Sequence, residues 1–564
     1  MVNAVTESKK ASILAWGLFI ITILVTDKIG TDTVNVGKML ALTITGFFLL
    51  PFIKLPSRSS LLKQNSWFIA IVVLLILIFI SMLTSENSFE RGLYGAFGRN
   101  TGFLSYLSLS LLFIAATQMH NQGSFIRIQK ALLLAGLFNI IYCLLAKAGY
   151  DIFSWNNPYK AVLGTFGNPN FIGSFMGIVS GALFIQTLAS PASKARRAIT
   201  GFLFILSFVV IYLADATQGL LVAAFGISIS LYFYLRLSTK KRIISRVYLL
   251  SILIAGLVAL LGILQKGPLA PFLYKPSVSF RGDYWKAGIS MGKSDYLNGL
   301  GIDSYGLYYR TFRSLKSTIN PGIEITTDAS HNVVIDIFAG AGVLALISYV
   351  FLTIFVAITA LKYTKSLKSF DPVFFTIFIA WASYQLQSLI SINQLGLAVW
   401  GWALGGALIG YTRLQKTEDT ESVVNKASKK LKIKKVSQEL MPASMLLKVV
   451  SSGLVGFLLA LPPFVADAKM RHFLSGKGTT EGLFKLAESW PHDSIRFNKS
   501  IIVLAQNQKL EEAKSLAAFG TTIFPNDFAS WSALFELSPD GSNEKLAYKK
   551  RLHKIDPYNP KYFD

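Results

Sequence analysis

Apolar residues fall along this chain in long blocks, separated by short polar segments that carry most of the charge. Trp67 to Leu83 and Phe202 to Leu213 are nearly unbroken apolar runs. In helical rise, roughly 18 to 20 such residues span the hydrocarbon layer of a bilayer. The pattern predicts an all-α, polytopic transmembrane bundle of about thirteen spans, at 11–26, 36–53, 66–84, 102–119, 126–147, 170–189, 198–214, 217–236, 246–265, 331–361, 371–392, 395–412 and 444–466.

Lys and Arg are retained on the cytoplasmic side of a membrane, so the connecting segments should alternate in cation content. They do so with the N-terminus inside. Cations recur at Lys9 and Lys10; Lys54, Arg58 and Lys63; Arg127 and Lys130; Lys194, Arg196 and Arg197. They return at Arg236, Lys240, Lys241, Arg242 and Arg246, at Lys362, Lys365 and Lys368, and in the tract from Arg413 to Lys435. The intervening short loops are poor in them. This order predicts a multi-pass membrane protein with a cytoplasmic N-terminus and an extracytoplasmic C-terminus. The first span shows no small-residue cleavage pattern before Thr26, which reads as a retained anchor.

Composition agrees. Of 564 residues 52% are hydrophobic and 15% charged, with a mean hydropathy of +0.49. The net charge of +25 would suit nucleic acid, but its confinement to alternate loops fits membrane orientation instead, so no nucleic-acid partner is expected. The single cysteine, Cys143, lies in an apolar run and rules out an intramolecular disulfide.

Two outward regions interrupt the pattern, giving four expected parts: helices 1–265, a loop 266–330, helices 331–467 with a basic cytoplasmic loop 413–443, and a tail 468–564. The loop is far longer than an ordinary connection of about 4 to 6 residues and too aromatic for a disordered linker. The tail repeats Ser489-Trp490-Pro491-His492-Asp493, Ile523-Phe524-Pro525-Asn526-Asp527 and Ile555-Asp556-Pro557-Tyr558-Asn559, its prolines 34 and 32 residues apart. That period predicts tetratricopeptide-like helical hairpins. So few repeats should pack on the membrane domain or on an envelope-assembly protein.

Ionisable residues at a membrane boundary are costly unless they serve a cavity or a charged ligand. The outward candidates are Glu86, Glu90, Arg91, Arg99, Asp215, Arg281, Asp283, Arg310, Arg313, Asp328, His331 and Asp336. Arginine offers a fork of donors that matches phosphate oxygens. Arg281, in Arg281-Gly282-Asp283-Tyr284-Trp285, is the first candidate to clamp a diphosphate, with Arg91, Arg99 and Arg313 as further ligands. His331 is the best-placed general base, at the head of a span where Ser330 is expected as the helix cap; Asn332 and Asp336, four apart, share one helix face with each other. Asn168 and Asn170, flanking Pro169, are candidates to orient sugar hydroxyls. The chain has no Asp-x-Asp pair outside the apolar runs, no glycine-rich phosphate loop, no His-Glu-x-x-His and no Cys cluster. Nucleotide-sugar/metal, ATP and zinc chemistry thus lack their usual ligands, and neither metal nor cofactor is expected.

The Arg281–Trp285 segment, then Gly299-x-Gly301, then His331-Asn332 heading a helix that continues Ala339-Gly340-Ala341-Gly342, resembles the signature region of O-antigen ligases, related polymerases and protein O-oligosaccharyltransferases. Asn168-Pro169-Asn170 and Arg99–Gly102 are similar to the family's earlier landmarks, and the likeness covers about positions 90 to 410. It implies a metal-independent, all-helical glycosyltransferase of the C type. Such an enzyme moves a glycan from an undecaprenyl-diphosphate carrier to a glycan, lipid or protein acceptor, in contact with membrane lipids. By this likeness His331 is the essential loop histidine and Arg281 a diphosphate-binding arginine; Trp285, Asp215 and Gln218 fall in its substrate-binding segments. One departure stands out: where many members carry Ser-Arg, this chain reads Ala214-Asp215-Ala216-Thr217-Gln218-Gly219. Gln218 carries no charge, so diphosphate binding must lean on the other arginines. The competing class is a transporter or flippase of lipid-linked glycans, for which the sequence offers no inverted repeat.

Overall fold

The computed structural model describes residues 2–57, 60–61, 65–189, 193–238, 242–273, 276–424 and 441–563. Arg58, Lys63, Lys240, Lys241 and the tract Lys426 to Lys435 lie outside them. The fold is all-α, and a helix stands at each of the thirteen predicted spans. Ten are long and apolar enough to cross a membrane: Asn35–Phe52, Ser66–Thr84, Gln122–Lys147, Pro169–Ala189, Lys194–Leu213, Thr217–Ser238, Arg242–Ile263, Val333–Ser366, Leu395–Gln415 and Ala443–Ser475. Phe103–Thr117 is apolar but shorter. Pro372–Ser388 has 17 residues, and Val2–Ile23 carries Glu7, Lys9 and Lys10. The chain is thus a multi-pass membrane protein with ten such helices among the described residues.

Leu395–Gln415 is wholly enclosed, while Arg242–Ile263 turns almost its entire surface outward. Side chains such as Phe202, Ile205, Leu250 and Leu253 are about 60% exposed, as a lipid-facing surface requires. Inside, small residues set the spacing. Gly173, Gly177 and Gly181 recur every four residues and meet Gly219 and Gly226 of the Thr217–Ser238 helix. A Cβ on Gly219 would lie 2.6 Å from the Gly173 carbonyl oxygen. Such stripes let membrane helices touch backbone to backbone.

The long helix Val333–Ser366 is not continuous. Gly342 adopts φ 76°, ψ −178°, which breaks the helical run. Buried backbone groups must find partners, and here the preceding loop supplies them. Leu300 N donates to Ala339 O at 2.8 Å, Gly301 N to Gly340 O at 3.0 Å, and Val343 N donates to Tyr296 O at 2.9 Å. The strand-like pass fits only because glycines line it. A Cβ on Gly299 would sit 2.5 Å from the Gly340 carbonyl carbon, and one on Gly342 would sit 2.0 Å from Leu297 O. The two glycine motifs are therefore two halves of one crossing.

The 266–330 loop folds into helices, chiefly Pro276–Ser294 and Tyr305–Phe312, around a small core of Ala287, Met291, Tyr305, Leu307, Tyr308 and Tyr309. The tail forms Thr480–Glu488, Ser494–Gln506, Leu510–Ile523, Phe528–Glu536 and Asn543–Ile555, with a core that includes Phe497, Leu504, Leu516 and Phe524. Each recurring Pro-x-Asp/Asn has one local job. Asp493 accepts from Arg496 N, Asp527 from Ser530 N and Asn559 from Lys561 N, so each caps the helix it precedes. The tail docks on the loop end of the bundle. Arg313 Nη2 meets Asp556 Oδ1 at 2.7 Å with both side chains fully buried, and His492 Nδ1 meets Glu90 Oε1 at 2.8 Å.

Candidate active site at the loop end

The break at Gly342 leaves a half-helix, starting at Val333, whose N-terminus is built with care. Asn332, not the expected Ser330, is its cap: Asn332 Oδ1 accepts from Val334 N at 3.0 Å and Ile335 N at 3.3 Å. Ser330 lies too far upstream to reach those amides and instead brackets Asn332, accepting its N–H and donating to its carbonyl. Asp336, one turn inside, accepts from Ser330 N at 2.7 Å. Between these anchors His331 is held at φ 61°, a left-handed conformation unusual for a side chain of its size.

His331 is also fixed beyond its backbone. Its ring packs on Tyr284 with centroids 5.4 Å apart, and its Nδ1 lies 3.2 Å from Ala329 O. A carbonyl only accepts, so Nδ1 carries the hydrogen and Nε2 keeps its lone pair. Burial pushes the imidazole down to about 4, and the charge of Arg281 reinforces the shift. The ring is neutral at physiological pH.

Arg281 stands one turn before Trp285 on the Pro276–Ser294 helix. Its Nη2 donates to Gln218 Oε1 at 3.4 Å, and Gln218 Nε2 donates to Ser174 Oγ at 2.8 Å. Ser174 in turn donates to Asn170 O at 2.7 Å. The glycine stripe explains this relay, since only a backbone-close contact lets Gln218 and Ser174 meet. Burial lowers the Arg281 pKa, but guanidinium starts so high that it stays charged. Among the described residues it has no ion-pair partner.

Arg99 faces the same loop. Its Nε and Nη2 each lie 2.8 Å from an oxygen of Asp328, three residues before His331. Burial alone would raise the Asp328 carboxyl, but Arg99 outweighs it and holds it below the usual range. The Arg99 turn is itself shaped by Asp303, whose Oδ2 accepts from Ala96 N at 2.8 Å and Thr101 N at 3.1 Å.

The structure thus brings together His331, Arg281, Gln218, Asn332 and Asp336, with Arg99 joined through Asp328 and Asn170 through Ser174. It places other candidates differently. Arg313 is enclosed by Asp556 and by Ile323 O at 2.6 Å. Arg91, 7% exposed, donates to Asp303 O at 3.1 Å. Asn168 turns its side chain to its own helix, accepting from Asn170 N at 2.9 Å. Asp215 is exposed at φ 48° in the turn before Thr217–Ser238. The indole N–H of Trp285 is buried and has no hydrogen-bond partner among the described residues. Sequence reasoning missed Tyr284, Ser174 and Asp303. For Ser174 a signal existed, its place inside the glycine stripe; for Asp303 there was none, because its partners are about 200 residues away.

Among the described residues no group of three or more His, Cys, Asp or Glu is placed to hold a metal ion. Residues 202–350 match the O-antigen ligase family. That stretch runs from the Lys194–Leu213 helix through Gln218, Arg281 and His331 to the broken helix. No curated protein matches the chain.

Proposed function

We propose that this chain is a metal-independent glycosyltransferase of the bacterial inner membrane. It moves a glycan from undecaprenyl diphosphate to a glycan, lipid or protein acceptor on the extracytoplasmic face, with its N-terminus cytoplasmic. The loop 266–330 and the head of the 331–467 helices carry the chemistry. The tail 468–564, read as tetratricopeptide-like from its proline period, braces that loop and offers a surface to an assembly partner.

The observation that carries this reading is that, among the described residues, Arg281 meets a neutral amide and no carboxylate, while His331 holds Ala329 O through Nδ1 and leaves Nε2 without a partner. The acceptor hydroxyl gives its proton to Nε2 as its oxygen attacks the anomeric carbon. The bond from that carbon to the diphosphate oxygen breaks, and the departing negative charge falls to Arg281, a preorganised clamp for developing charge. Buried and next to the Arg281 charge, His331 is a weak base. Burial is the main cause of that weakness and Arg281 adds to it; a diphosphate bound at Arg281 offsets the added part, so the donor itself strengthens the base.

A broken helix is also a transporter feature. Here, however, the carbonyls freed at the break bond to loop amides rather than line a midplane path, which favours chemistry at the boundary. The test uses purified full-length protein with undecaprenyl-diphosphate glycan and acceptor supplied on the loop side. Product should form, and His331→Ala should lower the rate by about 10² to 10⁴; full activity in that variant refutes the assignment.

A further inference from the structure

An imidazole serves as a base only while its ring is aimed at the proton it takes. The backbone of His331 does not settle that aim. Its Nδ1 contact, 3.2 Å to Ala329 O, runs to a carbonyl two residues back in the same turn, so it moves with the turn. The firmer hold comes from another helix. Tyr284 lies against the imidazole with ring centroids 5.4 Å apart and planes 32° apart, nearer parallel than edge-on. No reading above gives this tyrosine a role in transfer.

Tyr284 is itself fixed from behind. Its ring meets Tyr309 at 5.7 Å in a T-shaped contact, and its carbonyl accepts from the Tyr305 hydroxyl at 2.7 Å. Tyr305 and Tyr309 stack on each other and are 6% and 1% exposed. Both belong to Tyr305–Phe312, the helix that the tail grips through Arg310 and Arg313 on Asp556 and through Thr311 on the Ile555 carbonyl. Side chains locked by packing in this way hold a reactive group to its geometry. The Tyr284 hydroxyl, by contrast, makes no hydrogen bond among the described residues, so the fold uses the ring. Tyr284 also follows Arg281 by three residues on Pro276–Ser294, which puts the two on one helix face. One helix therefore sets both the cation and the surface under the base.

We propose that Tyr284 is a positioning residue: its ring, propped by Tyr309, sets the angle at which His331 meets the acceptor hydroxyl and covers the imidazole from water. The proposal rests on the glycan-transfer reading for what His331 does. Its test includes a readout that needs no transfer.

The full chain in nanodiscs is compared as wild type, Tyr284→Phe, Tyr284→Ala and Tyr284→Leu, the last filling the space without a flat face. Phe keeps the ring and should transfer at the wild-type rate. Ala and Leu should lower kcat about ten- to a hundredfold while donor KM stays within about threefold, because Arg281 is untouched. On a His331→Ala background Tyr284→Leu should cost nothing further, since a residue that acts through another is silent once that one is gone. The second readout is acylation of neutral imidazole by diethyl pyrocarbonate, with His331 followed by peptide mapping. In wild type and Phe its rate should be flat above about pH 5.5, as a group lowered to about 4 requires. In Ala water reaches the ring, so the rate should rise and titrate towards the ordinary value of about 6.5. The charged groups that act on His331, namely Arg281, Arg99 and Asp328, are the same in every variant. Equal loss in Phe and Ala would move the work to the hydroxyl and overturn the proposal. Full transfer in Ala and Leu overturns it too, as does a Leu cost on the His331→Ala background as large as on wild type. If Ala melts early, Leu decides. A protein that transfers nothing, yet whose His331 acylation changes in Ala and not in Phe, would sink the transfer reading and leave the ring contact standing.

Discussion

Arg281 and Arg313 lie 32 residues apart in one loop, and both read from the sequence as diphosphate ligands. The structure gives them opposite surroundings. Arg313 has 0% side-chain exposure and a bidentate carboxylate partner, Asp556, at 2.7 and 2.8 Å. Arg281 is half-buried and rests against a neutral amide at 3.4 Å. The first cation is neutralised inside the protein and joins the tail to the loop; the second keeps its charge for something outside. Under the proposed function, what separates the structural arginine from the binding one is the charge of its partner, not its own burial.

The comparison breaks most visibly at Asp556. Asp556→Asn leaves Arg313 enclosed without a counter-charge, and losing one partner of a buried ion pair costs about 3–5 kcal/mol. Melting of the purified chain should drop accordingly, and the loop-tail interface should open to protease. Replacing both partners with apolar residues of similar volume, Arg313→Met with Asp556→Leu, should recover only part of that loss, since the buried pair contributes little net stability but Arg310, 2.9 Å from Asp556 Oδ2, loses its partner too. Arg281→Gln should do the reverse. Stability stays near wild type, while transfer falls about 10² to 10³ through loss of a transition-state donor. If Arg281→Gln melts early and transfers normally, the two arginines have been assigned the wrong way round.

The contrast also marks how far the sequence could be read. The membrane helices were legible because an apolar run is a local property and the cation alternation constrains it globally. Val2–Ile23 and Pro372–Ser388 show the limit, since helicity follows from the pattern while crossing depends on length and charge. The Gly299-x-Gly301 and Gly340-Ala341-Gly342 motifs were visible, but their cause, a loop threaded through a helix break, needed both in place at once. Arg313 and Asp556 are 243 residues apart, and Arg99 and Asp328 are 229 apart. Charge can be counted in a sequence, but pairing at that range cannot. His331 was legible as a helix-head histidine, whereas its neutral state depends on burial and on Arg281, and its tautomer on Ala329 O.

The sharpest form of the comparison gives Arg281 the kind of partner Arg313 already has. Gln218→Glu changes one group, keeps the contact to Arg281 and supplies a carboxylate. Two consequences follow with defined signs. The donor diphosphate must now compete with an internal anion, so its KM should rise about tenfold, as an added interaction of about 1.4 kcal/mol would require. His331 should respond as well. In wild type the neighbouring cation helps hold its pKa down at about 4, so the base stays unprotonated and kcat/KM declines only as the pH approaches that value. A nearby carboxylate offsets the cation and favours the imidazolium, so the acid limb of kcat/KM should move to higher pH. The kcat limb, which reports the donor-bound state, should move less, because the bound diphosphate already offsets Arg281 there. A variant that raises KM without moving the kcat/KM limb would show that Arg281 binds the donor but does not set the state of His331.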